Sequence, residues 1–517
     1  MCCAIRRKRS TRPPSPLKAR PTPSLSYRDQ TDERRRAFAA ALTDVEAGLA
    51  ANPDDLDALF ERGALLAGLG RDDEAKLAYV EVLRRDATHF GALTNLGGLA
   101  LASGHRSAAL SAYRHAVDHH PERAPAAVNL ANLLLEDGAH DEARRRYEAA
   151  LDADPDCAEA HQGLGLCLFA LGEAGIADFH WRKGFAGREI AVKPYRGEGP
   201  PVRVLLLVSG LGGNIPTALL LDDRTFAVTA LYAEFHDPSR PLPAHDLVLN
   251  AIGDAELCGE ALAGAIEVLK RTGAPVINSP EAVLPTARDE NARRMAGLAG
   301  VFAPRIERLP RGLLTGSCAP ARLAALGLDF PLLLRSPGFH TGQHFVRVEV
   351  ADNLAEAADQ LPGESLLAIQ SLDAAGADGL SRKYRVMMID GALYPLHMAA
   401  SADWKVHYFT SAMADRPDLR AEEAAFLTDM PKAIGLRAIA ALHAVREGLG
   451  LDYAGVDFGL GPDGRLLLFE ANATMTITPP DPDPIWNYRR EPIARALDAA
   501  RSMLTSRAAS RPTELIA

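Results

Sequence analysis

The chain has 517 residues, 24% of them charged and 47% hydrophobic, with a formal net charge of −10 and an isoelectric point near 5.9. That length exceeds what one hydrophobic core supports and implies several domains, while the acidic balance disfavours nucleic acid as a partner. No apolar stretch reaches the roughly 18 residues of a membrane-spanning helix, so no transmembrane segment is expected.

The first 28 residues carry eight Lys or Arg side chains, five prolines and no acid. Such a composition buries too little apolar surface to offset its ordering entropy, and a disordered basic tail is expected over residues 1–34. No apolar run of the secretory type follows its Arg cluster. Beyond the adjacent Cys2 and Cys3, the cysteines are scattered, with neither Cys-x-x-Cys nor paired-histidine spacing. A disulfide framework or zinc site is not expected, and a reducing cytoplasm is the expected location.

A repeat then dominates the sequence. Gly63, Gly97 and Gly165 are 34 or 68 residues apart, with Ala131 in the missing slot. The same step joins Gly70, Gly104, Gly138 and Gly172; Ala75, Ala109, Ala143 and Ala177; and Tyr79, Tyr113, Tyr147 and Trp181. Pro121 and Pro155 close two of the units. Small residues at the first and third columns let paired helices approach, and the glycine of the second column suits a turn with positive φ. The aromatic column fills the space between hairpins, and proline stops each second helix. These columns resemble the tetratricopeptide repeat. The resemblance implies an all-α solenoid over residues 35–189, a half repeat near Ala41 followed by four repeats, with a concave groove for a protein or peptide partner.

The register fails after Trp181, and residues 190–201 read as a linker. The run 202–208 (VRVLLLV) suits a parallel strand buried on both faces. Further strands at 226–232, 247–250 and 275–278 imply a Rossmann-like α/β unit over residues 202–283. The turn 209–214 (SGLGGN) holds only the first two glycines of a dinucleotide fingerprint, with Glu234 ending the next strand, which is a weak signal.

Near the C-terminus, residues 453–460 (YAGVDFGL) and 465–472 (RLLLFEAN) read as two strands joined by the turn Gly461-Pro462-Asp463-Gly464. A hairpin would set Asp457 opposite Glu470 and Asn472, whose side chains share a face. Two carboxylates and an amide oxygen are hard ligands suited to magnesium carried with nucleotide phosphates. Left unpaired among Val456, Phe458, Leu467 and Leu468, the acids would be costly to desolvate.

Asp457 followed by Glu470-Ala471-Asn472 is similar to the metal-binding signature of the ATP-grasp superfamily. Upstream, 330–335 (FPLLLR) followed by 336–342 (SPGFHTG) resembles the strand and glycine loop over the triphosphate. The segment 366–373 (LLAIQSLD) resembles the adenine hinge, and 382–386 (RKYRV) the strand that offers cations to phosphate. The resemblance implies an α+β ATP-grasp domain over residues 284–505, with 202–283 as its preceding subdomain and 506–517 as a tail. It implies ATP and Mg2+ as cofactors, with Asp457, Glu470 and Asn472 on the metal. Arg335, Gly338, Gly342, Gln370 and Asp373 would contact the nucleotide, and Arg385 and Lys383 would be catalytic. The stretch holding His397, Trp404, Lys405 and His407 lies between these parts and is expected to meet substrate.

The implied reaction joins a carboxylate substrate to an amine through an acyl-phosphate. Three departures stand out: Arg335 occupies a usual lysine position, Arg293 or Arg294 stands near a second, and Gln370 sits where an acid is common. A phosphotransferase, or a non-catalytic scaffold whose grasp domain senses nucleotide, therefore remain alternatives.

Overall fold

The computed structural model describes residues 27–339, 342–406 and 411–510, with side chains described from residue 35 onward except at 174 and 412. Helix α1 (Tyr27–Ala51) is the lone helix expected before the first full repeat, and it begins earlier than expected. Residues 27–34 are therefore helix and not tail; the rest of the predicted tail lies outside the described residues.

Four helical hairpins follow: α2 (Leu56–Gly68) with α3 (Asp72–Arg85), α4 (Phe90–Ala102) with α5 (Arg106–His119), α6 (Ala124–Glu136) with α7 (His140–Ala153), and α8 (Ala158–Ala170) with α9 (Ala174–Phe185). Gly70, Gly104, Gly138 and Gly172 turn each hairpin at φ of 74°, 80°, 75° and 84°, the region that side chains with a Cβ resist. The first glycine column and the aromatic column prove to be one feature. A Cβ at Gly63, Gly97 or Gly165 would lie 2.6, 2.7 or 2.5 Å from the ring of Tyr79, Tyr113 or Trp181 in the same hairpin. In the third unit Ala131 fills the slot, and Tyr147 leans onto Gly163 of the next unit, where a Cβ would meet it at 2.3 Å. The Tyr147 hydroxyl donates to Asn132 Oδ1 at 2.6 Å.

Beyond the array come three sheets. The first contains β1 (Ile190–Val192), β2 (Val202–Val208), β3 (Phe226–Tyr232), β4 (Leu247–Asn250) and β5 (Val276–Ile277), in the order β1-β3-β2-β4-β5. All neighbours run parallel except β1, which pairs antiparallel with β3. Residues 190–192, expected in the linker, thus form an edge strand, and the connection shortens to 193–201. Helix α10 (Gly259–Leu269) buries Ala261, Leu262 and Ala265 in the core of this sheet.

Strand β6 (Val301–Phe302) belongs to the third sheet, whereas β7 (Ile306–Pro310), β8 (Leu332–Arg335), β9 (Phe345–Val348) and β10 (Ser365–Gln370) make the second, antiparallel in the order β7-β10-β8-β9. The third sheet adds β11 (Ser381–Ile389), β12 (Ala392–Ser401), β13 (Tyr453–Leu460) and β14 (Leu466–Asn472), in the order β12-β11-β13-β14-β6. The last helix, Arg490–Ala509, extends past the tail boundary expected at 506, so residues 506–509 are helix.

One apolar core runs from the first sheet into the third, joining Leu205, Leu207 and Ile277 to Val386, Leu442 and Val456. The second sheet builds its own around Leu332, Leu334, Leu366 and Ala368. The region 284–505 accordingly divides into two layers. The array is docked onto the first sheet by Phe185, whose ring lies 4.4 Å from both Phe235 and Tyr232. Among the described residues no helix is long and apolar enough to cross a membrane.

Replacing Gly97 with Ala should overpack the contact with Tyr113 and lower stability by about 1–3 kcal/mol. Denaturant titration of the full chain checks this. Combining Gly97→Ala with Tyr113→Leu should show positive coupling; strict additivity of the two losses would contradict the shared contact.

Candidate functional site

The glycine turn 209–214 is built for packing. A Cβ at Gly210 would meet the Phe185 ring at 2.8 Å, so glycine there admits the docking aromatic. Glu234 accepts from Ser209 Oγ at 2.9 Å and from the Gly210 amide at 2.7 Å, which commits this carboxylate to holding the turn.

The C-terminal hairpin forms as expected, and its register sets Asp457 opposite Glu470. A bulge after Asp457 lets Phe469 slip out of the pairing. On the other side Asp457 faces Arg385, and Arg385 faces His397. His397, Arg385, Asp457 and Glu470 therefore form one cross-strand row over β12, β11, β13 and β14. Lys383 sits two residues from Arg385 on the same face, and Asn472 two from Glu470.

Charges in this row are paired. Asp457, only 4% exposed, accepts from Arg385 Nε at 2.6 Å and Nη2 at 2.8 Å, with Lys383 Nζ at 3.2 Å. Burial alone would raise the Asp457 carboxyl, but Arg385 and then Lys383 outweigh it and hold the group below the ordinary carboxylate range. Burial, reinforced by Arg385, pushes the His397 imidazole well below its usual value. Asn472 Nδ2 donates to Glu470 Oε1 at 2.9 Å, while its Oδ1 accepts from Thr474. Glu470 also takes Arg288 Nη2 at 2.7 Å, and Arg288 Nη1 reaches Glu256 Oε2 at 2.8 Å.

That last link ties the row to the glycine loop. The Gly338 amide donates to the same Glu256 oxygen at 3.1 Å, with Gly338 at φ 76°. Arg335, at the end of β8, is buried; its Nη2 donates to the Phe339 carbonyl and its guanidinium lies 5.3 Å from the Phe345 ring centre. Burial, reinforced by Arg288, pushes the Arg335 guanidinium down to about 10. Gly342, at φ 73°, accepts from Lys405 Nζ at 2.6 Å, and Trp404 meets Phe345 edge-on at 5.3 Å.

The expected residues thus fall into two groups. His397 joins Lys383, Arg385, Asp457, Glu470 and Asn472 on the third sheet. Trp404 and Lys405, expected at substrate, pack instead on the glycine loop with Arg335 and Gly342, because Phe345 offers them an aromatic face. His407 lies outside the described residues. Gln370 and Asp373 serve the backbone: Gln370 Oε1 accepts from the Arg305 amide at 3.1 Å, and Asp373 Oδ1 from the Ala375 amide at 3.0 Å. A neutral amide suits the Gln370 position, where it satisfies a strand-edge donor.

A cavity of about 260 Å³ opens beside the row, walled in part by Lys383, Arg385, His397, Trp486 and Arg489. Arg489 pairs with the fully buried Glu423 at 3.3 Å, and Tyr488 donates to the same carboxylate at 2.6 Å. Arg288, Glu256, Glu423 and Arg489 did not stand out in the sequence. None has a periodic position, and their partners are distant in the chain.

Among the described residues no three His, Cys, Asp or Glu side chains gather as a metal cluster. The set on the hairpin is two carboxylates and one amide. Its donors are of the hard type magnesium takes and share one face, and an ion there would have to displace Arg385 and Lys383 from Asp457, Arg288 from Glu470 and Thr474 from the Asn472 oxygen.

A family model described as tetratricopeptide repeat matches residues 100–165 and 134–175, and the N-terminal region carries these repeats. No curated protein matches the chain. Among solved structures, one of MamA is 22% identical, covering 32% of this chain and 96% of its own, with a TM-score of 0.27. A MamA fragment from Desulfovibrio magneticus RS-1 is 25% identical over 30% of this chain and 89% of its own, at TM-score 0.27. YrrB, titled a TPR protein with an unusual peptide-binding site, is 19% identical over 30% of this chain and 80% of its own, at 0.26.

Removing one partner from a buried ion pair costs about 3–5 kcal/mol, so Arg385→Met should destabilise the chain by that order. The acid limb offers a second check. As pH falls below about 4, unfolded Asp457 takes up a proton that the folded state refuses, and stability drops. Asp457→Asn should flatten that limb by up to one proton, roughly 1.4 kcal/mol per pH unit. An unchanged slope would mean that Asp457 is not held ionised.

Proposed function

We propose that the region after the repeats is an ATP- and magnesium-dependent ligase that joins a carboxylate to an amine, acting on a substrate or partner presented by the repeat array. The observation that carries this reading is the row on the third sheet, where Asp457, Glu470 and Asn472 gather on one face beside two cations. The glycine loop, with Arg335 beneath it, is tied to that row through Glu256 and Arg288. Asp457, Glu470 and, after rotation of its amide, Asn472 would hold the magnesium. Magnesium on triphosphate would neutralise charge on the phosphates.

The chain's own groups then divide the work. Arg335 and the Gly338 amide, released from the Phe339 carbonyl and from Glu256, would offer the phosphates a cation and a backbone donor from the second sheet. Arg385 and Lys383 are placed to stabilise negative charge developing on the transferred group. The neutral His397 next to them adds a polar contact without adding charge. Solenoids of stacked hairpins present a concave surface to proteins and peptides, which assigns delivery to the array. We place this chemistry in the cytoplasm, where ATP is supplied and the free thiols of Cys157, Cys167, Cys258 and Cys318 persist.

A second reading is a nucleotide-sensing scaffold without turnover. It draws on the guanidinium groups already seated on Asp457 and Glu470, which a metal must displace.

Calorimetry with ATP and magnesium should show saturable binding that Asp457→Asn combined with Glu470→Gln abolishes. Equal binding by that double variant would sink the site assignment. Phosphate release should require a carboxylate and an amine together; ADP formed with an alcohol acceptor and without free phosphate would mark a phosphotransferase, and binding without ADP formation the sensor.

A further inference from the structure

The cavity beside the row is electrically balanced by partners that stand behind its walls. Lys383, Arg385 and Arg489 line it, together with the acid Asp481. Arg489 is neutralised by Glu423 at 3.3 Å. The other two cations share a single carboxylate: Asp457 holds Arg385 by two hydrogen bonds of 2.6 and 2.8 Å and Lys383 at 3.2 Å. This carboxylate is also the one assigned to the metal. It cannot serve both at full strength, because a carboxylate bound to a divalent ion has little charge left for two cations.

We propose that this cavity takes the carboxylate of an acid with an apolar body, and that Asp457 gates it. While Asp457 pairs with Lys383 and Arg385, the three cations of the cavity are matched by Asp457, Glu423 and Asp481, and an anion gains no net attraction. When a divalent cation engages Asp457, both cations turn their charge to the cavity and the acid binds. The gating half rests on the metal assignment above; the masking of the cations by Asp457 stands on the geometry alone. Trp486, Leu396, Met413 and Ile493 supply the apolar wall, and arginine with lysine is the usual pairing for a carboxylate head. The arrangement orders assembly: metal and nucleotide first, acid second. Such ordering keeps an acid from occupying the site before the phosphoryl donor is in place.

Benzoate is a suitable probe, with benzamide as its uncharged counterpart. In EDTA, native protein should bind the two equally weakly by calorimetry. Asp457→Asn, still in EDTA, should bind benzoate about tenfold more tightly and benzamide no better. Thr478 is an exposed residue of the cavity wall, and Thr478→Trp, filling the mouth, should remove the gain in the Asp457→Asn background. Native protein with magnesium and ATP should show the same tenfold gain for benzoate.

The arms separate the two claims. A gain in Asp457→Asn with none on adding magnesium and ATP would uphold the masked cavity and overturn the metal assignment. Magnesium–ATP binding with no gain in benzoate affinity would overturn the gate. Folded Asp457→Asn without a gain would overturn it as well. Should that variant fail to fold, a native preference for benzoate over benzamide in EDTA would already refute masking, since the cations would then be open without a metal.

Discussion

A carboxylate placed in the middle of a five-stranded sheet imposes conditions on everything around it. Asp457 is almost wholly buried, and its charge is tolerable there only with cations in direct contact. Arg385 answers from the adjacent strand because the β11–β13 register sets the two opposite each other. That leaves Glu470, next in the row, needing its own cation. Arg288 provides it from the helix Arg288–Met295, outside the sheet, and needs Glu256 in turn. The alternation of sign thus travels from the third sheet to the α/β unit and ends at the Gly338 amide. Three parts of the molecule are held in mutual position by one chain of partly buried charges, and a register slip in β13 would break its links through Asp457.

The repeat array is fixed to the rest by different means. Phe185 is inserted between Tyr232 and Phe235, and glycine at 210 makes room for it. Arg196 then bridges Asp223 of the α/β unit at 2.7 Å and Asp72 of the first repeat at 3.4 Å. Because both ends of the array are attached, its concave surface holds a defined orientation towards the α/β unit. A partner bound there would be presented in one geometry, which a flexible tether could not achieve.

How much of this could be read from the residues follows from the range of each interaction. The 34-residue columns are legible because every unit repeats the same local constraints: a turn glycine at positive φ and a small residue under an aromatic. Even the exception at Ala131 is visible as a missing glycine, although the shift of Tyr147 to Gly163 is not. The C-terminal hairpin is legible because its turn and its alternation lie within 20 residues of each other. Arg288 and Glu470 are 182 positions apart, and Glu256 and Gly338 are 82 apart. No periodicity joins such pairs, so the clamp emerges only when the sheets are assembled. The linker strand β1 escaped notice for a related reason: three residues carry too little pattern to separate an edge strand from a connection.

Arginine in place of lysine at position 335 has a structural rationale that bears on nucleotide affinity in the proposed ligase and the proposed sensor alike. Its guanidinium is pinned on three counts: the Phe339 carbonyl accepts from it, the Phe345 ring lies beneath it, and the chain has buried it. A lysine ammonium has no planar face to lay on Phe345 and a stronger need for water. Arginine therefore suits a loop that is folded down before any ligand arrives. Lys405 and Trp404 hold the same loop from the other side through Gly342 and Phe345. Under the proposed reading, triphosphate would take Arg335 from the Phe339 carbonyl, so the contact that holds Arg335 would also weigh against nucleotide. That cost would fall on each binding event, in an enzyme and in a sensor alike. The Arg335–Phe339 contact thus weighs on nucleotide affinity under both readings.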